Sequence, residues 1–412
     1  MIDLNRYTLK NGLRVVHHYD SDTKIVVVNM LYKVGAKNDT SGKTGYAHLL
    51  EHLMFEGTTE VPNFDEVLQR VGGENNAYTT QDVTNYYEIL PYQNAETAFW
   101  LESDRMVNLS LTEENLSVQR KVVAEEFKQR VLNRDYADSS VIYRKAAYKK
   151  HPYRIITIGE KLSHIYDAKL CDVKDYYQRY YAPNNAILSV VGNITFSECI
   201  RLAEKWFGNI ESQQMDATPI PQEPAQRKAR VKRVYRNVPS SNIYKVYHMV
   251  SRYHKDYPCF DLISDILSTG KSSRLNQELV QNQKIFSMVD AAITGNIEPG
   301  LLVVVGRLAP GVNIEEADNA LSAEIAKLSS QRVTNRELEK VVNKFESNFL
   351  FENIGASELA ANIAYYEMLG SACDINDEVE KYRRVTPKQI QDVAKNYLKP
   401  SNCTTLYYQS KE

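Results

Sequence analysis

The sequence predicts an α+β protein made of two homologous domains, each a mainly antiparallel sheet with helices packed on one face. Three observations predict this class. Strand-like apolar runs alternate with long amphipathic helices, a proline-rich polar stretch divides the chain near its middle, and both halves end in the same order of elements. With 412 residues, the chain is long enough for two domains of ordinary size.

The strand-like segments are short and apolar, and turn residues bound them. They are KIVVVNMLYKVG, TNYYEILP and ILSVVGNI in the first half, and GLLVVVGRLA in the second. The helical segments are longer and repeat apolar residues at helical spacing, as in LTEENLSVQRKVVAEEFKQRVLNR and later NRELEKVVNKFESNFLFENIG. This alternation in both halves predicts helices layered on a sheet.

Residues 211–230, ESQQMDATPIPQEPAQRKAR, separate the two halves. They combine prolines with polar residues and have no apolar period, which indicates a linker between domains at 1–210 and 231–412. The halves end alike, in DVKDYYQRYYAPNNAILSVVGNIT and in TPKQIQDVAKNYLKPSNCTTLYYQ, with Pro183 and Pro400 at matching places. This match predicts a duplication, although helix–turn–strand is common enough to recur by coincidence.

The overall composition excludes several classes of protein. The net charge of −2 gives no general attraction to nucleic acid or to an anionic membrane. No apolar run approaches the roughly 20 residues that span a bilayer, and the N-terminus does not have the pattern of a signal peptide. The five cysteines form no CxxC, so neither a zinc ribbon nor a disulfide framework is indicated. We therefore expect a cytoplasmic protein.

The strongest chemical signal is AHLLEHLMFEGT at residues 47–58. The surrounding sequence fits an amphipathic helix that stops at Gly57. His48 and His52 are four residues apart and share one face of that helix, with Glu51 beside them. This H-x-x-E-H order inverts the H-E-x-x-H of thermolysin-type enzymes. Two imidazoles can hold zinc and a carboxylate can take a proton from water, whereas the competing interpretation is two incidental histidines.

A third metal ligand must come from elsewhere in the chain. Glu125 and Glu126 are adjacent within the helical segment 112–134. Helical neighbours point about 100° apart, so both are not expected to face one metal ion. An apolar stripe runs along this segment, and Glu126 lies at the edge of that stripe. The competing interpretation is that both glutamates lie on a solvated surface. The stripe consists of Val122, Val123, Phe127 and Val131.

These residues together resemble the pitrilysin family of inverted-motif zinc peptidases, which includes insulin-degrading enzyme and mitochondrial processing peptidase. The resemblance begins with HLLEHLMFEGT and a downstream glutamate, and it extends over nearly the whole chain. Four further segments are similar to the family in the same order: GGENNAYTTQDVTNYYEILP at 72–91, HPYRIITIG at 151–159, YYAPNNAILSVVGNI, and GKSSRLNQEL at 270–279. The resemblance identifies the chain as a member in the short, two-domain form.

The resemblance implies a role for each residue of the motif. His48, His52 and Glu126 would be the ligands of one zinc ion per chain, and Glu51 would be the general base. In the family, an acidic residue seven positions before the third ligand supports the site. Gln119 stands at that position here. Such supporting residues can be worth 10–100-fold in affinity or activity, so this departure puts the rate in doubt and not the zinc.

The resemblance also implies contacts with a peptide substrate. Asn76 and Ala77 would bind it, because an extended peptide can add to this strand and bond to its backbone with weak demands on sequence. A plain turn after Gly72-Gly73 is the competing interpretation for Asn75 and Asn76. A zinc hydrolase of non-peptide substrates is disfavoured by this strand, although the metal residues alone do not exclude it.

Finally, the resemblance implies a partner. Two chains of this form would build a closed chamber for unfolded peptides, each chain supplying half of a clamshell. The family's substrate-binding arginine and tyrosine follow the SSRL…EL segment, where this chain has Gln283 and Ser287. We therefore expect the zinc-bearing subunit of a heterodimer whose homologous partner carries the Arg–Tyr pair. The alternatives are a homodimer in which Lys284 or Tyr244 substitutes, and a non-catalytic docking subunit that keeps the fold.

Overall fold

The structure is a computed structural model that describes residues 1–215 and 219–411. It has the predicted α+β class, with two sheets and many helices. The chain forms two compact units, each assembled from three segments. The first unit comprises Met1–Lys128, Ile155–Ile220 and Phe349–Glu378, and the second comprises Gln129–Arg154, Pro221–Asn348 and Val379–Glu412.

Six strands form the sheet of the first unit. They are β1 (Asn5–Thr8), β2 (Arg14–Tyr19), β3 (Ile25–Tyr32), β4 (Glu74–Thr79), β5 (Thr84–Pro91) and β6 (Ala186–Gly192). Their order across the sheet is β1-β2-β6-β3-β5-β4, so β4 is an edge strand. Only β2 and β6 pair in parallel; the other neighbours are antiparallel.

Five strands form the sheet of the second unit. They are β7 (Arg230–Arg236), β8 (Asn242–His248), β9 (Phe286–Ile293), β10 (Leu301–Leu308) and β11 (Cys403–Ser410). Their order is β7-β11-β8-β10-β9, with only β7 and β11 parallel. This repeats β2-β6-β3-β5-β4 of the first sheet in both order and direction. The two homologous sheets confirm the duplication that the matching ends of the halves predict.

The helices surround these sheets. In chain order they are α1 (Tyr46–Leu53), α2 (Phe64–Arg70), α3 (Ala95–Val107), α4 (Glu113–Phe127), α5 (Ser139–Ala147), α6 (Leu162–Tyr166), α7 (Leu170–Tyr180), α8 (Phe196–Phe207), α9 (Tyr257–Ser268), α10 (Ile314–Ser330), α11 (Asn335–Glu352), α12 (Ala356–Leu369), α13 (Glu378–Arg383) and α14 (Pro387–Tyr397). Short π-helical segments lie at Lys128–Leu132 and Asn276–Asn282. Single 3₁₀ turns, Pro183–Asn185 and Pro400–Asn402, precede β6 and β11 in the same way.

The two compact units are not the contiguous stretches 1–210 and 231–412, because each takes a helix from the other half of the sequence. In the first unit, α12 packs Leu359 and Ile363 onto one face of the sheet, against Val27 and Ile187. Helix α3 lies on the opposite face, where Arg105 bonds to Glu88 of β5 at 3.0 Å. The apolar side chains of α12 predict that this helix is buried. They do not predict which of the two sheets it covers.

In the second unit, the added helix is α5, which brings Ile142, Tyr143 and Ala147 onto the sheet beside Tyr244 and Leu406. The other face of that sheet carries the larger core, with α9, α10 and α14 packed on it. Each sheet therefore has helices on both faces, and not on one face as the sequence predicts, because one helical layer comes from the other half of the chain.

The predicted linker is only partly described by the structure. Residues 211–215 and 219–229 form no helix or strand, and β7 begins at Arg230. Residues 216–218 of the linker and Glu412 lie outside the described residues. Among the helices that the structure describes, none is both long and apolar enough to cross a membrane.

Candidate metal centre

Helix α1 carries the motif, and a remote carboxylate caps its N-terminus. Gly45 precedes the helix and has no side chain to cap it, so Asp39 accepts hydrogen bonds from the amides of Gly45 at 2.6 Å and Ala47 at 3.1 Å. Burial raises the pKa of Asp39 to about 7, opposed by the backbone bonds, including one from Tyr46. Because amides at a helix start favour a carboxylate, Asp39 fixes where α1 begins.

His48 and His52 extend from successive turns of α1 and meet Glu126 of α4. The ring centroids of the two histidines are 4.8 Å apart. The Glu126 Oε2 atom lies 3.6 Å from Nε2 of His48 and 3.3 Å from Nε2 of His52. One ligand atom from each of the three residues lies within 4.8 Å of the other two. The three residues predicted from the motif and the family resemblance are therefore brought together.

The two adjacent glutamates of α4 have different surroundings. Glu126 faces the histidines, and its side chain is 19% exposed. Glu125 is 63% exposed and pairs with Lys128 at 2.6 Å. Adjacent residues of a helix point about 100° apart, so Glu126 faces the histidines and Glu125 does not, as the sequence predicts. The predicted single helix across this region changes to π-helical turns after Phe127.

The geometry fits a zinc ion. Two ligands with bonds of about 2.0–2.1 Å at a tetrahedral angle are roughly 3.3 Å apart. The distances from Glu126 to the two imidazole nitrogens match this spacing closely. Two nitrogens and one carboxylate oxygen are a donor set that catalytic zinc sites use, with one position left for water. The three candidate ligands come from two packed helices, and His48 is almost completely buried.

Glu51 lies on α1 between the two histidines and is held by a threonine. The hydroxyl of Thr79, the last residue of β4, donates a hydrogen bond to Glu51. Behind it, the hydroxyls of Tyr86 and Tyr181 lie 2.9 Å apart. Burial raises the pKa of both tyrosines well above the usual range, and the charge of Glu51 adds to the effect. Both phenols therefore stay protonated and neutral.

Gln119 occupies the position of the family's supporting acid, and its partner is a glutamate. Its side-chain amide donates a hydrogen bond to Glu56, which follows α1. A carboxylate is therefore present at this point, but it comes from the segment that follows α1 and not from α4. Sequence reasoning treated the acid as missing, because Glu56 carries no pattern that links it to Gln119.

Strand β4 presents a free backbone edge beside Glu51. The hydrogen bond from the Thr80 amide to the Val83 carbonyl closes the hairpin between β4 and β5. In an antiparallel ladder the bonded pairs alternate, so the backbone groups of Ala77 and Thr79 point away from β5. The amide of Ala77 instead donates to the side chain of Asn76 at 2.8 Å. The predicted substrate residues, Asn76 and Ala77, therefore lie at the free edge.

In the second unit, the positions of the expected Arg–Tyr pair hold uncharged residues with local partners. Gln283 donates to Glu278 at 2.6 Å, and Ser287 of β9 donates to the carbonyl of Arg307 at 3.3 Å. Tyr244 is 7% exposed, and its hydroxyl accepts a hydrogen bond from Asn242. Lys284 is exposed and has a left-handed φ of 56°.

Sequence reasoning missed Asp39, Thr79 and Glu56. Asp39 is an acidic residue before a helix, which is a capping signal, but it lies six residues before Gly45 and the loop between them hides the link. Side chains of a strand alternate between its two faces, so Thr79 lies on the same face of β4 as Asn75 and Ala77. This alternation could have placed Thr79 on the face nearest the motif. Only the packing of α1 on β4 makes that face important.

Comparisons with known proteins give a consistent result. Residues 14–160 match the family described as insulinase (peptidase family M16), and residues 168–345 match the peptidase M16 inactive domain. The chain is 30% identical to zinc protease PqqE of Helicobacter pylori, over 97% of this chain and 91% of that protein. It is 22% identical to a probable mitochondrial-processing peptidase subunit beta of Arabidopsis thaliana, over 86% of this chain and 68% of the relative.

A solved structure has the same fold over its full length. The crystal structure of a protease from Helicobacter pylori superposes with a TM-score of 0.93 and 29% identity, covering 99% of this chain and 100% of that one. Pitrilysin superposes with a TM-score of 0.82 and 18% identity, and the match covers 99% of this chain but 45% of that chain.

Proposed function

Because this chain belongs to peptidase family M16, the insulinase family, we propose that it is a zinc-dependent endopeptidase that hydrolyses unfolded peptides. One observation carries the proposal: ligand atoms of His48, His52 and Glu126 lie within 4.8 Å of one another. Zinc held by these residues would act as a Lewis acid and acidify water close to neutral pH. The name of the relative PqqE, a zinc protease, supports this choice of metal.

Glu51 is the proposed general base. It lies beside both histidines on α1, where its carboxylate can accept a proton from the attacking water and return it to the leaving amide nitrogen. The hydrogen bond from Thr79 holds one carboxylate oxygen of Glu51 and so helps to orient this side chain. The nearby phenols of Tyr86 and Tyr181, being neutral, do not compete for this proton.

The free edge of β4 is the proposed peptide-binding surface. Its outward amides and carbonyls can pair with an extended peptide as an added strand. Thr79 ends this edge and touches Glu51, so a peptide paired along β4 runs toward the proposed base. Backbone pairing accepts many sequences but demands an extended chain, which favours unfolded peptides over folded proteins.

The test combines metal content with hydrolysis. We expect the purified protein to carry one zinc per chain and, in the presence of its partner chain, to cleave unstructured peptides. Glu51→Gln should keep zinc and lose cleavage, His48→Ala should lose both, and the exposed control Glu125→Gln should keep both. Cleavage by Glu51→Gln would overturn the mechanism. A wild-type chain that binds no zinc and cleaves nothing, alone or with a partner, would favour the docking-subunit alternative.

We further propose that the chain works as the zinc-bearing half of a heterodimer. Gln283 and Ser287 lack the charge and the phenol that the family uses to hold the substrate. Tyr244 is buried with its hydroxyl already bonded, which argues against local substitution by this residue. Losing one oxyanion donor can cost about 10²–10³ in rate, so the chain alone should be a poor peptidase.

The partner is expected to be a homologous chain that lacks H-x-x-E-H and carries the Arg–Tyr pair. Mixing the two chains should raise peptide hydrolysis by about 10²-fold or more over this chain alone. Full activity from the isolated chain would overturn the heterodimer and favour a homodimer. In that case Lys284→Ala tests whether the exposed lysine supplies the missing charge.

A further inference from the structure

An arginine on the second sheet has an aromatic platform but, among residues 1–215 and 219–411, no carboxylate partner. Arg307 lies near the end of β10, and its guanidinium carbon is 4.6 Å from the ring centroid of Tyr136. Its Nε atom is buried and has no hydrogen-bond partner among the residues that the structure describes. Within that same part of the chain, no acidic side chain pairs with Arg307. A half-buried cation without a counter-ion is costly unless something else neutralises it.

Two other arginines in the chain show the usual arrangement. Arg105 also stacks on an aromatic ring, that of Tyr86 at 4.5 Å, and it pairs with Glu88 at 3.0 Å. Arg233 stacks on a tyrosine of the second sheet at 4.1 Å and pairs with Glu315 at 3.5 Å. In both cases, the ring and the carboxylate share the guanidinium. Within the described residues, the guanidinium of Arg307 has the ring of Tyr136 but no carboxylate.

The platform under Arg307 is held firmly. Tyr136 has a left-handed φ of 63°, which is unusual for a residue other than glycine. Its hydroxyl donates to the Ser240 carbonyl at 2.7 Å and accepts from the Ser240 amide at 3.2 Å. Its ring also packs on Tyr408, with centroids 5.5 Å apart. Strained backbone that the surroundings hold in place is commonly found at binding sites.

The neighbouring residues on the same sheet face leave the guanidinium of Arg307 available for a ligand. Its cross-strand partner on β8 is Asn242, which is 2% exposed and whose Oδ1 has no hydrogen-bond partner in the described chain. Its partner on β9 is Met288, which is 37% exposed. Asp290 lies two residues further along β9, but its carboxylate bonds instead to Ser268 and to the Ala291 amide. The sheet face that carries Arg307 is therefore open toward the edge strand β9, and it offers the positive charge of Arg307 there.

We propose that Arg307, seated on Tyr136, binds a carboxylate of a peptide. Arginine presents a planar fork of donors that matches a carboxylate, and charge-assisted bonds of this kind are the strong ones. The stacked ring reduces the entropy lost on binding because it already orients the guanidinium. The carboxylate can come from an aspartate or glutamate side chain or from a peptide C-terminus. That the ligand is a peptide rests on the proposed peptidase function.

Binding by the full-length Glu51→Gln protein, loaded with zinc, tests this proposal without cleavage. Fluorescence anisotropy compares a labelled unstructured peptide containing glutamates with the same peptide containing glutamines. A second pair differs only in a free or amidated C-terminus, which separates the two sources of the carboxylate. We expect one acidic form to bind about 10–100-fold more tightly than its neutral counterpart.

Variants then assign the preference for the acidic peptide to one side chain. Arg307→Gln should remove it, and Arg307→Lys should restore part of it because the charge returns without the fork. Arg233→Gln, which removes a stacked arginine from the same sheet, should leave it unchanged. The Lys variant and an unchanged melting temperature exclude simple misfolding as the cause.

Several results would overturn the inference. An acidic preference that survives Arg307→Gln, or no preference in the parent protein, contradicts the assignment. If the wild-type enzyme cleaves the peptides but no acidic preference exists, the inference fails and the proposed function stands. If the peptides are neither bound nor cleaved, even when the partner chain is present, the proposed function fails with it.

Discussion

The side-chain oxygen of Asn76 lies 2.8 Å from the amide nitrogen of Ala77 and accepts its hydrogen bond. That amide points away from β5, so the bond covers a donor at the free edge of the sheet. Uncovered edges invite pairing with other chains. The edge of β4 is therefore partly protected in the free protein, and a peptide strand that pairs here must displace the Asn76 side chain.

Proline at position 77 tests this edge directly. Since the Ala77 amide makes no bond to β5, Ala77→Pro should fold with a melting temperature close to that of the wild type. The substitution removes the donor for an added strand, so KM for unstructured peptides should rise about tenfold while bound zinc stays constant. Steady-state kinetics and metal analysis measure both. An unchanged KM would show that peptides bind elsewhere.

Glu126→Gln and Glu125→Gln form a matched pair on α4. Glu126 lies 3.3 Å from the His52 imidazole, whereas Glu125 is exposed and pairs with Lys128. Removing a ligand should weaken zinc binding by more than the roughly 10–100-fold that substitutions around the ligands cost. Competition with a fluorescent chelator gives the zinc affinity of each variant. Equal affinities, or the reverse order, would contradict the assignment of Glu126.

The pair Gln119 and Glu56 predicts a reciprocal effect. Gln119→Glu restores the acid of the family pattern but sets it against the Glu56 carboxylate, so the free energy of unfolding should fall by roughly 1 kcal/mol. Adding Glu56→Gln reverses the pair and should recover most of the loss. Urea denaturation of both single variants and the double variant gives the coupling. Simple additivity would mean that the two side chains do not interact in solution.

The cap of α1 should make stability depend on pH. Burial raises the pKa of Asp39 from 3.8 to about 7, so the folded protein binds this proton more tightly than the unfolded chain. The contribution to stability is present below about pH 4 and is lost as pH rises to about 7, by at most about 1.4 kcal/mol per pH unit. Asp39→Asn cannot titrate. We therefore expect metal-free wild type to lose stability relative to Asp39→Asn across this range.

Urea denaturation of the two metal-free proteins at several pH values measures this difference. Histidines and other groups titrate in both proteins, so their effects cancel in the comparison. Parallel curves for the two proteins would mean that folding does not shift the pKa of Asp39.

The sequence predicts which three side chains come together at the candidate metal centre, because their positions depend on local geometry. His48 and His52 share a helix face through their spacing alone, and Glu126 follows from its place in the family pattern. The end of the motif helix is less well predicted. Helix α1 stops at Leu53, not at Gly57. Gly57 serves a tight turn instead, at φ 88°, where a Cβ atom would lie 2.5 Å from the Pro62 carbonyl oxygen.

Contacts between distant segments could not be predicted from one sequence. The cap from Asp39, the bond from Thr79 to Glu51 and the pairing of Gln119 with Glu56 each join residues from different elements. Their residue types are ordinary at those positions. Only the packing of α1 against β4 and α4 gives them their roles.

The exchange of helices between the halves has a consequence for synthesis. The first 215 described residues contain every strand of the first sheet, yet α12, which covers one face of that sheet, ends only at Leu369. Because the ribosome adds about 5–20 residues per second, this apolar face stays uncovered for about 9–35 seconds after β6 has been made. Exposed faces of this kind attract chaperones and aggregate when they are crowded. We therefore expect the proposed catalytic half to mature late, only after α12 has been translated.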